Sequence, residues 1–175
     1  MESRAKLLGH PIHPMLIVLP LGLFLSAVVF DALYLWRGTP AFGAVGYWNV
    51  AAGIIGGLLA AVFGFIDWLA IPAGTRAKRI GLLHGGSNVV VVTAFAVAWW
   101  TRTNAIDPTP TTGVFLLELA AVSLGSVAAW LGGELVDRLG VGVHDGAHLD
   151  APSSLSGLPA RVRESSAPSP QRRAS

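Results

Sequence analysis

Nine side chains carry the chemistry this sequence can offer. Five are histidines: His10, His13, His84, His144 and His148. Four are carboxylates set in or against apolar runs: Asp31, Asp67, Glu118 and Glu134. Imidazole ligates zinc, copper and haem iron, and a carboxylate completes hard-metal sites. The chain has no cysteine, which excludes disulfides, thiolate metal sites, cysteine-held iron–sulfur clusters and cysteine nucleophiles. Imidazole and carboxylate are therefore the side-chain ligands left.

The elements that position these groups are read from four apolar runs: Met15 to Trp36, Tyr47 to Ile71, Leu82 to Trp100 and Gly113 to Val136. About 20 apolar residues in a helix cross a hydrocarbon core of roughly 30 Å. The runs are continuous rather than alternating, which excludes barrel strands. Only 13% of the 175 residues are charged and 53% are hydrophobic, with a mean hydropathy of +0.60, whereas soluble domains carry about 25% charged residues. The expected fold class is all-α, an integral membrane four-helix bundle. Residues 1–150 form the transmembrane domain, and 151–175, rich in Ser, Pro and Arg, read as a disordered tail. The first run is longer than the about 7–15 residues of a signal-peptide core, so it reads as a span.

Charge sets the expected orientation. Arg4 and Lys6 precede the first run, Arg76, Lys78 and Arg79 lie between the second and third, and five arginines follow the fourth. The other two loops have Arg37 and Arg102, one each. Basic loops stay inside, so both termini face the cytoplasm of a multi-pass inner-membrane protein. Tyr34, Trp36, Tyr47, Trp48, Trp99 and Trp100 then form an outer interfacial belt. The pI of about 9.5 belongs to the inner loops and tail, so no nucleic-acid partner is expected.

This topology collects all five histidines, Asp67 and Glu134 at the inner end. His13 or His10 opposite His84 is the expected pair for haem b. A divalent metal would draw on His10, His13, His84, Asp67 and Glu134. The structural alternative has the histidines capping helix starts and Asp67 pairing with Arg76, Arg79 or a histidine. At the outer end Asp31 and Glu118 lie at similar depth, and no Lys, Arg or His is expected inside a span to neutralise them. Together they suggest a proton or ion path, or two groups that reach the interface and hydrogen-bond there. Small-residue ridges, Gly53-Gly57-Ala61 with Gly56-Ala60-Gly64 and Gly125-Ala129-Gly133 with Ala128-Gly132, predict close helix packing, within one chain or in a homo-oligomer. Pro20 predicts a kink near the middle of the first span.

Three readings of function follow. The first is an electron-transfer subunit that binds haem or metal and meets a redox partner protein. The second is a proton- or ion-linked transporter, and the third a non-enzymatic scaffold in the bilayer. Phosphate loops, nucleophile elbows and zincin motifs are missing.

Four segments stand out together: Gly9-His10-Pro11-Ile12-His13-Pro14, Gly64 to Asp67, His84 with Asn88, and Gly132-Gly133-Glu134-Leu135-Val136 running into Gly140-Val141-Gly142-Val143. In these the chain resembles the bacterial membrane family catalogued as domain of unknown function 2231. It covers about residues 1–150. It implies a four-helix inner-membrane protein without an assigned activity. Relatives joined to Rieske-type iron–sulfur domains imply redox company, although this chain has no such domain.

Overall fold

Helix α1 (Ile12–Leu16) leads into α2 (Val18–Arg37), followed by α3 (Pro40–Ala70), α4 (Arg76–Thr103) and α5 (Thr112–Gly133). This architecture is that of a computed structural model, which describes residues 1–103 and 108–161. Four helices are long and apolar enough to cross a membrane: Ile12–Arg37, Pro40–Ala70, Arg76–Thr103 and Thr112–Arg138. Each starts before the apolar run that announced it, and all but the second, which ends at Ala70, also run past its end. Local chemistry sets the ends. Gly38 closes α2 in the left-handed conformation, its N–H donating to Tyr34 O at 2.7 Å. Pro40 opens α3 where its missing N–H costs nothing. The Thr111 hydroxyl caps α5 by accepting from Val114 N.

The interruption in the first span lies at Ile17, between α1 and α2, not near the middle. Pro20 explains the position. Its ring clashes with the carbonyl four residues back, on Leu16, where α1 ends. The expected mid-span kink is thus moved toward the end that carries the chain termini.

Gly53, Gly56 and Gly57 of the second-span ridges pack inside the chain, whereas Ala61, Ala129 and Gly133 are exposed. A Cβ on Gly53 would strike the Phe24 ring, one on Gly56 would press Leu19 and Pro20, and one on Gly57 would press Val92. Gly125 faces Val91 at ordinary contact distance. Close backbone approach replaces the hydrophobic drive that lipid does not supply. Large apolar residues such as Leu21, Leu25, Ile55, Leu58, Val89 and Val127 are exposed on the outside, as a lipid-facing surface requires.

The bundle is two copies of one helical hairpin. Residues of α1 and α2 recur 71 positions later in α4: His13 and His84, Phe24 and Phe95, Ala27 and Ala98. Residues of α3 recur 68 positions later in α5: Gly57 and Gly125, Ala60 and Ala128, Gly64 and Gly132. Equivalent residues also meet each other. Phe24 and Phe95 stack with centroids 3.9 Å apart and planes 2° from parallel. His13 and His84 lie 6.2 Å apart. Asp31 pairs with the residue at its equivalent position, Arg102. Equivalent groups touch only near a symmetry axis, so a pseudo-twofold runs along the helices, the parallel-repeat arrangement known in membrane proteins.

Outside the spans, strands β1 (Lys6–Leu7) and β2 (His10–Pro11) form a two-residue ladder. A π-helical turn, Glu134–Arg138, ends the fourth span. The first part of the tail folds back: the Ser154 hydroxyl, in a short 3₁₀ turn (Ser154–Ser156), donates to Leu8 O at 3.3 Å. Asp107 in the third loop and the tail arginines Arg163, Arg172 and Arg173 lie outside the described residues.

Candidate functional site: a histidine pair on the pseudo-twofold axis

His13 sits in the short helix before the Ile17 break, and His84 two turns into α4. Each reaches across to the next helix of its own hairpin. His13 Nδ1 lies 2.8 Å from Ala60 O, and His84 Nδ1 lies 2.8 Å from Ala128 O. A carbonyl only accepts, so both Nδ1 atoms carry the hydrogen. In the neutral rings each Nε2 keeps its lone pair, the tautomer that metal-ligating histidines use. Glycine makes room for both rings. A Cβ on Gly64 would come within 2.8 Å of the His13 ring, and one on Gly132 within 3.0 Å of the His84 ring.

The two rings are perpendicular, with an interplanar angle of 87°. Asn88 donates to His84 O at 2.9 Å and touches His84 Nε2 only at 3.4 Å, the weak edge of hydrogen bonding. Both histidines are half-buried. Beside His84, a Cβ on Gly85 or Gly86 would meet nothing within 4 Å.

The other expected ligands have different partners. Asp67 accepts from the Ser3 hydroxyl at 2.8 Å, from Arg4 N at 2.8 Å and from Ala5 N at 3.4 Å. It pins the N-terminal strand, and the expected pairing with Arg76, Arg79 or a histidine gives way to this. Asp67 lies one turn from the end of α3, where the N-terminal segment crosses and offers two backbone donors. Glu134 takes Arg76 at 2.6 Å. His10 is exposed and lies 3.3 Å from Leu8 O. His144 lies 3.0 Å from Gly9 O and 3.3 Å from Glu2 Oε1, and His148 accepts from Asp150 N. Among the described residues no group of three or more His, Asp or Glu comes together to hold a metal ion. Polar groups from all four spans do gather at one end, and there the His13 and His84 rings meet.

The opposite end holds a group that the sequence reading missed. α4 continues through Arg102, which is only 2% exposed, so a cation does stand inside the spans with Asp31 and Glu118. Arg102 was assigned to a loop because it follows the Trp99-Trp100 interface pair. The guanidinium donates to Asp31 Oδ2 at 2.7 Å and Oδ1 at 3.3 Å, to Glu118 Oε1 at 3.4 Å, to Gly43 O at 2.8 Å and, through Nε, to Pro108 O at 2.8 Å. The signal that finds it is the 71-residue repeat, which places Arg102 opposite Asp31.

The family model described as predicted membrane protein (DUF2231) matches residues 9–145. No curated protein and no solved structure matches the chain.

Proposed function

The chain belongs to the predicted membrane protein family DUF2231, whose description names no activity, and from that premise we propose that it is an inner-membrane electron-transfer subunit with both termini cytoplasmic, in which His13 and His84 hold one cofactor atom. The observation that carries this reading is the matched tautomer of the pair, each Nδ1–H committed to a backbone carbonyl and each Nε2 keeping its lone pair, with only the weak Asn88 contact on His84. The separation agrees. The ring centroids lie 6.2 Å apart, within the reach of two imidazoles that would share one atom at about 2.0–2.1 Å from each nitrogen.

The donor set chooses between cofactors. Tetrahedral zinc needs three or four protein ligands, and a third is not at hand among the described residues. Two imidazoles would suit haem b, which His13 and His84 would hold. Bound there, haem would supply one-electron chemistry. The residues of this chain fix the ring orientations through Ala60 and Ala128 and seat the rings on Gly64 and Gly132. A soft two-coordinate metal ion is the other occupant that two imidazoles fit.

The purified full chain, expressed with haem and metals supplied, tests the reading by visible spectroscopy and metal analysis. A Soret band at one haem per chain, lost in His13→Ala and in His84→Ala while circular dichroism stays helical, is the expected result. No Soret band and no stoichiometric metal would reject it.

A further inference from the structure

Arg102 has five N–H donors, and all five are used: one on Pro108 O, one on Gly43 O, two on the Asp31 carboxylate and one on Glu118 Oε1. Nothing is left for Glu118 Oε2, which is buried and has no hydrogen-bond partner among the described residues. Both carboxylates are 0% exposed. Two buried carboxylates facing one guanidinium carry one negative charge too many, and an uncompensated charge is not kept in an apolar interior. Asp31 and Glu118 both accept from Arg102 Nη1, so the two carboxyl groups stand side by side. Neither can donate to the other unless one holds a proton.

The repeat shows that packing does not require Glu118. Its equivalent in the first hairpin is Val50, equally buried, and Asp31 with Arg102 is already a neutral pair across the axis. Glu118 is the added group. Tyr47, whose ring lies 5.6 Å from the Arg102 guanidinium carbon, is the titratable neighbour from α3.

We propose that the Asp31–Glu118 pair is a proton-binding site holding one exchangeable proton, with Glu118 as the protonated member and Asp31 as the ionised partner of Arg102. Asp31 takes the ionised role because it has the two-pronged contact with the guanidinium, whereas Glu118 has one long one. With the proton bound, the site is neutral. On release the proton leaves for water and the site carries one net negative charge. The site is independent of the histidine pair, at the other end of the bundle.

Infrared spectroscopy of the full chain in lipid nanodiscs tests this. The wild type at neutral pH is expected to show a buried carboxylic-acid carbonyl band that moves to lower frequency in deuterium oxide. Carbon-13 labelling of glutamate shifts the band, and labelling of aspartate leaves it in place. In Glu118→Gln, whose amide keeps the shape without the proton, the band disappears. The labelling arm needs no variant, so it stands even if Glu118→Gln does not fold. No acid band in the wild type, or a band that follows the aspartate label, overturns the proposal. A band lost on adding sodium at constant pH overturns it in favour of a cation site.

Discussion

The two ends of the pseudo-twofold axis use equivalent positions in opposite ways. At the end with the termini, both positions hold histidine. Each ring is satisfied inside its own hairpin, by Ala60 O or Ala128 O, and the pair makes no bond across the axis. At the other end the equivalent positions hold Asp31 and Arg102, which bond directly across it. Identical groups satisfied outward leave their rings side by side, 6.2 Å apart, without a bond between them. Opposite charges satisfied inward leave a clamp. Duplication of one hairpin supplies the scaffold for both, and a single change of residue type decides which is built.

The largest expected effect comes from breaking the clamp. Arg102→Met leaves the Asp31 carboxylate buried without its cation, and the expected loss is about 3–5 kcal/mol of stability. Denaturation in detergent measures it. Adding Asp31→Asn to Arg102→Met should return a large part of the loss, because the unpaired charge goes too. A double variant as unstable as Arg102→Met would show that the clamp acts through packing rather than charge.

Overpacking tests the other end. Gly64→Ala and Gly132→Ala each push a Cβ against a histidine ring, and about 1–3 kcal/mol is the expected cost of each. The pseudo-symmetry predicts similar losses at the two sites, with a weaker Soret band or metal content in both. The same change at Gly46, where a Cβ would overlap the Asp31 carboxylate, should cost a similar amount of stability and leave the histidine end loaded. Equal effects of all three on loading would abolish the distinction between the ends.

The smallest effect belongs to the N-terminal strap. The Lys6 ammonium, hydrogen-bonded to Glu2, and then the backbone N–H of Asp145 hold the Glu2 carboxyl down from 4.5 to about 2. A carboxyl lowered in the folded state stabilises above its unfolded value, and that contribution fades as the pH falls from about 4.5 through 2. Glu2 is exposed, so the contribution is small. Hydrogen-exchange protection of residues 1–11, corrected for the intrinsic exchange rate at each pH, should fall over that interval while the spans stay protected. Unchanged protection would mean that Asp67 alone holds the strap.

The spans, their number and the close packing at Gly53, Gly56 and Gly57 were legible because hydropathy and small-residue spacing are local signals. The partner of Asp67 was not. Ser3 and the amides of Arg4 and Ala5 lie more than 60 positions away in sequence, and nothing local announces a backbone donor. His13 and His84 were readable as a pair, since topology alone brings them to one level. Arg102 was not, because an arginine after two tryptophans looks the same whether it turns to water or back into the bundle. Only the repeat, in which Asp31 and Arg102 share one register, separates the two.

X-ray absorption at the metal edge of the loaded full chain tests the central claim most directly. Two imidazole nitrogens at about 2.0 Å from one metal atom, falling to one in His13→Ala and in His84→Ala, is the predicted result. A bound metal whose imidazole count does not change in either variant would contradict it.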